Sequence, residues 1–189
     1  MRQKRPRKNG RWKRRARPIR LLLLDIDGVL TDGRLMYDGT GKECKAFHIR
    51  DGQGIVLLQR AGIRVGFLSG RVSSAVKARA KELGIWLVRQ KVVDKGNALK
   101  AICQKERMGE EEICYMGDDL IDLPAFCRVG FAVAVADAVE EVKNSAHYVT
   151  RRRGGQGAVR EVCELILKAQ GKWKKTIGPY LPKPSENRI

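Results

Sequence analysis

Residues 19–31 read IRLLLLDIDGVLT, an apolar run that stops at Asp25 and is followed at once by Ile26, Asp27 and Gly28. Continuous apolar character without strict alternation marks a strand covered on both faces, as strands of parallel sheets are. Two carboxylates two positions apart at the end of such a strand are costly to desolvate. They persist where a cation or a chemical demand holds them. This segment therefore sets two expectations, a buried strand over Ile19–Leu24 and a reactive site at its carboxyl end.

Outward from it, strand-like and helical patterns alternate. Apolar runs at Arg64–Leu68, Ile85–Val88, Ile113–Met116 and Gly130–Val135 read as further buried strands. Helical periods fill the intervals at Gly54–Ala61, Ser73–Leu83, Gly96–Glu106, Leu120–Cys127 and Ala138–Asn144, with Ala158–Gln170 last. Asp51, Ser73 and Asp137 stand where N-caps are expected, and Gly62, Gly84 and Gly109 where helices should end. Repeated strand-then-helix units predict an α/β fold: a Rossmann-like parallel sheet with helices on both faces. One stretch departs from the alternation. Arg34–Ile49 reads as two short strands around Asp38-Gly39-Thr40-Gly41, a β-hairpin flap overhanging the end of strand one.

Ligands of open α/β sheets bind outside the carboxyl ends of the strands. There the chain gathers Asp25 and Asp27, then Ser69-Gly70-Arg71, then Lys95 at a helix start, then Gly117-Asp118-Asp119-Leu120-Ile121-Asp122. Hard oxygen ligands suit Mg²⁺, lysine and metal neutralise phosphate charge, and one carboxylate is left to attack phosphorus. Each piece alone has an ordinary structural use as a turn or a cap. Four of them in order at successive strand ends point to phosphoryl transfer.

DIDGVLTDG at 25–33, LSGR at 68–71, Lys95 and GDDLID at 117–122 resemble the four motifs of the haloacid dehalogenase superfamily phosphatases. HIRDGQGI at 48–55, GGQGAVRE at 154–161 and the hairpin further resemble the 3-deoxy-D-manno-octulosonate 8-phosphate phosphatases, a capless subfamily. The resemblance implies that Asp25 is the nucleophile and Asp27 the general acid and base. It implies Mg²⁺ held by Asp25, the Asp27 backbone carbonyl and Asp118, and phosphate held by Gly28, Ser69, Gly70 and Lys95. Asp119 and Asp122 become positioning groups. Arg71 is the first candidate to meet the carboxylate of an acidic sugar phosphate, and Arg151-Arg152-Arg153 is the second. Only 42 positions separate Asp27 from Ser69, and 23 separate Lys95 from Asp118, so neither interval can hold a cap domain. The capless relatives close their sites by forming homotetramers, which gives the hairpin, with Leu35, Tyr37 and Phe47, an assembly role. A phosphatase for nine-carbon acidic sugar phosphates would share these catalytic residues.

The 189 residues carry 39 Lys and Arg against 21 Asp and Glu, for a net charge of +18. Residues 1–17 hold ten basic residues and no acid, and residues 171–189 five basic residues and Glu186. The body between them keeps only +4. The expected organisation is a basic disordered arm at 1–18, a phosphatase domain at 19–170 and a C-terminal tail at 171–189. Nucleic-acid binding is expected only as a non-specific property of that arm, because the arm has a single aromatic, Trp12. The basic stretch before Leu21–Leu24 resembles the start of an export signal. Its apolar run ends after four leucines, too short for such a signal or a membrane span. Five cysteines without a CxxC pair read as reduced thiols, and the expected compartment is the cytoplasm, with lipopolysaccharide sugar biosynthesis as the setting.

Overall fold

A computed structural model describes residues 10–182 of the chain. Six parallel strands form one sheet in the order β5-β4-β1-β6-β7-β8, where β1 is Leu21–Leu24, β4 Arg64–Leu68, β5 Leu87–Arg89, β6 Ile113–Gly117, β7 Phe131–Ala134 and β8 Tyr148–Val149. The four leucines of β1 are fully buried between β4 and β6, which explains the unbroken apolar run. From β1 the chain builds outward to β4 and β5, then returns to the other side of β1 for β6, β7 and β8. The crevice at that reversal lies over the ends of β1, β4 and β6.

The helices are α1 (Arg11–Ala16), α2 (Ile49–Arg60), α3 (Ser74–Glu82), α4 (Lys95–Glu106), α5 (Leu123–Phe126), α6 (Glu140–Ser145), α7 (Ala158–Ala169) and α8 (Trp173–Ile177). Between β1 and α2 stands the separate hairpin, with β2 (Met36–Tyr37) and β3 (Glu43–Cys44) antiparallel. Asp38 holds its turn by accepting hydrogen bonds from the backbone of Thr40 and Lys42, each at 2.9 Å.

Several local expectations need correction. Helix α2 starts five residues before Gly54, since Gly52 and Gly54 serve close packing rather than helix breaking. A Cβ on Gly54 would lie 3.0 Å from the Arg160 backbone of α7, and one on Gly52 would lie 2.1 Å from the Arg79 guanidinium. Asp51 does not cap its own helix. Its carboxylate accepts from the backbone N–H of Gly157 (3.1 Å) and Arg160 (2.7 Å), so it caps α7 instead. Asp137 likewise accepts from Gly154 N at 3.0 Å, and α6 begins later, at Glu140. Helix α4 ends on Arg107 in the left-handed region (φ 51°), and Gly109 opens the next turn.

The expected arm is structured where it is described. Helix α1 buries Ala16 completely, packs Trp12 on Tyr148 with ring centroids 6.2 Å apart, and donates from Arg15 to the Gly130 carbonyl at 2.9 Å. Over residues 171–182 the expected tail forms α8 and a further turn, with Lys172 donating to Ala61 O at 3.1 Å. Residues 1–9 and 183–189 lie outside the described residues. Cys114 and Cys163 are buried and Cys103 half-buried, whereas Cys44 and Cys127 are exposed; all five are free thiols. Among the described residues no helix is long and apolar enough to cross a membrane.

Candidate active site

The chain turns sharply after β1, and Thr31 locks that turn. Its hydroxyl donates to Ile26 O (3.4 Å) and accepts from the N–H groups of Gly28 (3.4 Å) and Gly33 (3.3 Å). Gly28 sits at φ +87°, and a Cβ there would lie 2.0 Å from Asp118 Oδ2. Only glycine lets the ends of β1 and β6 come this close. A cleft of about 260 Å³ opens there, lined by Asp25, Asp27, Ser69, Gly70, Arg71 and Asp118 together with Gly33, Asp119 and Ile121.

Beneath the cleft lies a buried ionic cluster. Lys95, the first residue of α4, reaches under the sheet edge to Asp25 Oδ1 (2.8 Å) and Asp122 Oδ1 (2.5 Å). Asp122 is fully buried and has its lone pairs taken. It accepts from the Tyr115 hydroxyl (2.6 Å) and from the backbone N–H of Asp118 (2.8 Å) and Asp119 (3.2 Å). It therefore positions Lys95 and the Asp118 turn. Asp119 caps the same turn by accepting from Leu120 N at 2.7 Å.

Asp25 and Asp118 are in a different state. One ligand oxygen from each of Asp25, Asp118 and Asp122 lies within 4.8 Å of the others, and Asp118 Oδ1 is buried with no hydrogen-bond partner. Burial, followed by the neighbouring charges of Asp25 and Asp122, pushes the Asp118 carboxyl up to about 8. Burial raises Asp25 to about 6 in spite of Lys95, whose own pKa the two carboxylates keep above the ordinary lysine value although burial opposes it. One lysine does not offset three carboxylates in this space. An orphaned oxygen facing a second carboxylate, with all-oxygen donors, fits a hard divalent cation.

On the leaving-group side the hairpin supplies residues that motif reading did not single out. Lys45, its side chain only 2% exposed, pairs with Asp27 and lies 2.7 Å from Glu43 Oε1. Arg71 reaches Glu43 Oε2 at 2.6 Å and Asp27 Oδ2 at 3.9 Å. Hydrogen bonds from Lys45 and Arg71 hold the Glu43 carboxyl down at about 2. Charged residues at alternate positions of a short exposed strand, 43 and 45, were the available signal. The Gly154-Gly155 pair that opens GGQGAVRE packs against the turn after β1: Gly155 donates to Val29 O at 2.9 Å, and a Cβ on Gly154 would sit 1.6 Å from Gly28 O. Arg151 and Arg152 do not join this cleft; they line a larger groove that contains none of the catalytic candidates.

A family model for haloacid dehalogenase-like hydrolases matches residues 85–161. The chain is 46% identical over 164 residues to a 3-deoxy-D-manno-octulosonate 8-phosphate phosphatase of Yersinia pestis, covering 87% of this chain and 88% of that protein. The Moraxella catarrhalis phosphatase of that name, solved in complex with magnesium ion, phosphate ion and KDO molecule, superposes with a TM-score of 0.89 at 40% identity, covering 91% of this chain and 99% of that one. The cobalt-bound enzyme of Haemophilus influenzae gives 0.82 at 43% identity, covering 85% and 94%. With the capless sheet and strand-end cluster described above, these likenesses show that the chain belongs to the 3-deoxy-D-manno-octulosonate 8-phosphate phosphatase family and is a phosphatase of the haloacid dehalogenase superfamily.

Proposed function

We propose that the chain removes phosphate from 3-deoxy-D-manno-octulosonate 8-phosphate through an aspartyl-phosphate intermediate, as a Mg²⁺-dependent cytoplasmic enzyme of lipopolysaccharide sugar biosynthesis. The observation that carries this reading is the unbalanced pair Asp25 and Asp118 facing each other at the ends of β1 and β6, with Lys95 bound to one of them. Asp25, Asp118 and the Asp27 backbone carbonyl would hold Mg²⁺, which when bound neutralises charge on the phosphoryl oxygens.

In this reading an Asp25 oxygen attacks phosphorus while the bond to the sugar oxygen breaks, and Asp27 gives its proton to the departing alkoxide. Asp27, now a base, takes a proton from the water that attacks phosphorus and frees Asp25 and inorganic phosphate. Lys95 and Ser69 bind phosphoryl oxygens, aided by N–H groups made approachable at Gly28 and Gly70. Lys45 orients Asp27 through Oδ1 and leaves Oδ2 to carry the proton that is delivered, and Arg71, already in the cleft, meets the sugar carboxylate in exchange for Glu43. The hairpin supports assembly as a homotetramer, since Leu35 and Tyr37 stand 49% and 58% exposed on an isolated two-stranded ribbon.

Phosphate release measured over a panel of sugar phosphates with Mg²⁺ tests the reading. The eight-carbon acid phosphate is expected to be turned over fastest. Preference for a nine-carbon acid phosphate would replace the substrate while leaving the mechanism intact. Sedimentation of the full chain as a monomer would remove the assembly role of the hairpin.

A further inference from the structure

A second groove among the described residues has more space than the catalytic cleft. A groove of about 810 Å³ runs along α7, walled on one side by Trp12 of α1 and by Tyr148 of β8. Its floor and rim carry Arg50, Arg151, Arg152, Arg160 and Lys168. The two acids that face it are already engaged. Glu164 is bound by Arg160 and Lys168 (2.8 and 2.7 Å), and Glu161 by the Tyr148 hydroxyl and the N–H groups of Arg151 and Arg152. Its cationic character continues past both ends. On α1, Lys13 and Arg14 are exposed beside Trp12, and Lys168 lies 4.8 Å over the Trp173 ring of α8, which carries exposed Lys174 and Lys175. Helices α1 and α8, each carrying exposed cations, thus both pack against α7.

None of Asp25, Asp27, Ser69, Lys95 and Asp118 lines this groove. We propose that the groove binds single-stranded nucleic acid, with its cations on the phosphodiester backbone and with Trp12 and Tyr148 as aromatic walls for bases. A concave channel of basic residues with aromatic sides is what a flexible single strand needs. An anionic membrane surface fits less well. Trp12 and Tyr148 line the groove rather than project from the surface, so neither is placed to insert between lipids.

Fluorescence anisotropy of a labelled short oligouridylate, titrated with the full chain at several salt concentrations, tests this. Binding is expected at low salt, to weaken steeply as salt rises, and to resist competition by duplex DNA of equal length. Lys168→Glu should weaken it and lower the log–log salt slope by about 1 or more while phosphate release is kept. Lys13→Glu with Arg14→Glu, at exposed positions of α1 beside the groove wall, should weaken it further. Equal affinity of Lys168→Glu and the parent chain would overturn the groove as the site. Duplex binding as tight as the single strand, or binding to phosphatidylglycerol vesicles without binding to the oligonucleotide, would overturn the choice of ligand.

Discussion

The strand-end cleft and the α7 groove differ in size by about threefold, 260 against 810 Å³, and the smaller one holds the catalytic candidates. What separates them is the state of their charges. In the cleft, Asp25, Asp118 and Asp122 crowd around one buried lysine, so charge of one sign is left over where water cannot screen it. Along the groove the cations are exposed or half-exposed, and the acids beside them are paired. Buried imbalance creates a demand for a metal and for a reaction; solvated excess creates only attraction.

The largest effect that could break this contrast is at the nucleophile. Asp25→Asn should lower phosphate release by on the order of 10⁴-fold or more, as loss of a covalent nucleophile does. A steady-state assay that finds near-parental turnover would remove Asp25 from that role. Next comes Asp122→Ala, which leaves Lys95 with Asp25 alone and takes the acceptor from the buried Tyr115 hydroxyl and from the N–H groups of Asp118 and Asp119. Its expected cost is about 3 kcal/mol or more in urea unfolding, with Asp122→Asn recovering part of it.

The third prediction concerns pH and metal together. Asp25 and Asp118 have folded-state values near 6 and 8, both above the ordinary 3.8. Between those limits the folded chain binds more protons than the unfolded chain, so metal-free stability falls as pH rises. Their contribution is complete below about 3.8 and disappears as pH passes 6 and then 8. Melting temperature measured in EDTA should therefore decline across that window, and saturating Mg²⁺ should flatten the decline, adding about 2.7 kcal/mol at one hundred times its dissociation constant. A flat metal-free profile would mean that the carboxylates are already compensated. The smallest effect belongs to the groove wall: Trp12→Ala should cost about 1 kcal/mol and speed amide exchange in α1 without altering that pH profile.

The sheet was legible because β1, β4, β6 and β7 are buried on both faces and write themselves as apolar runs. Strand β8, two residues long at the sheet edge, has no such run to show. The motif residues at the strand ends were legible because paired carboxylates and glycines are expensive anywhere else. Lys45 and Glu43 were not, since their role depends on how the hairpin folds back onto Asp27 and Arg71. Asp51 looked like a local cap and serves a helix more than a hundred positions away, a choice made by tertiary packing alone. The arm looked unstructured for want of an apolar period; Trp12 and Ala16 suffice to dock so short a helix on a surface already built.

Gly154 and Gly155 bear on how the enzyme comes into being during synthesis. They brace the Asp25–Asp27 turn from a position more than 120 residues downstream, against the Gly28 and Val29 carbonyls. Every catalytic candidate from Asp25 to Asp122 leaves the ribosome before this brace does. A nascent chain halted short of Gly154 would hold all the reactive side chains around a turn still open on one side. A chain that ends short of Gly154 is therefore expected to lack phosphatase activity although it holds every catalytic candidate.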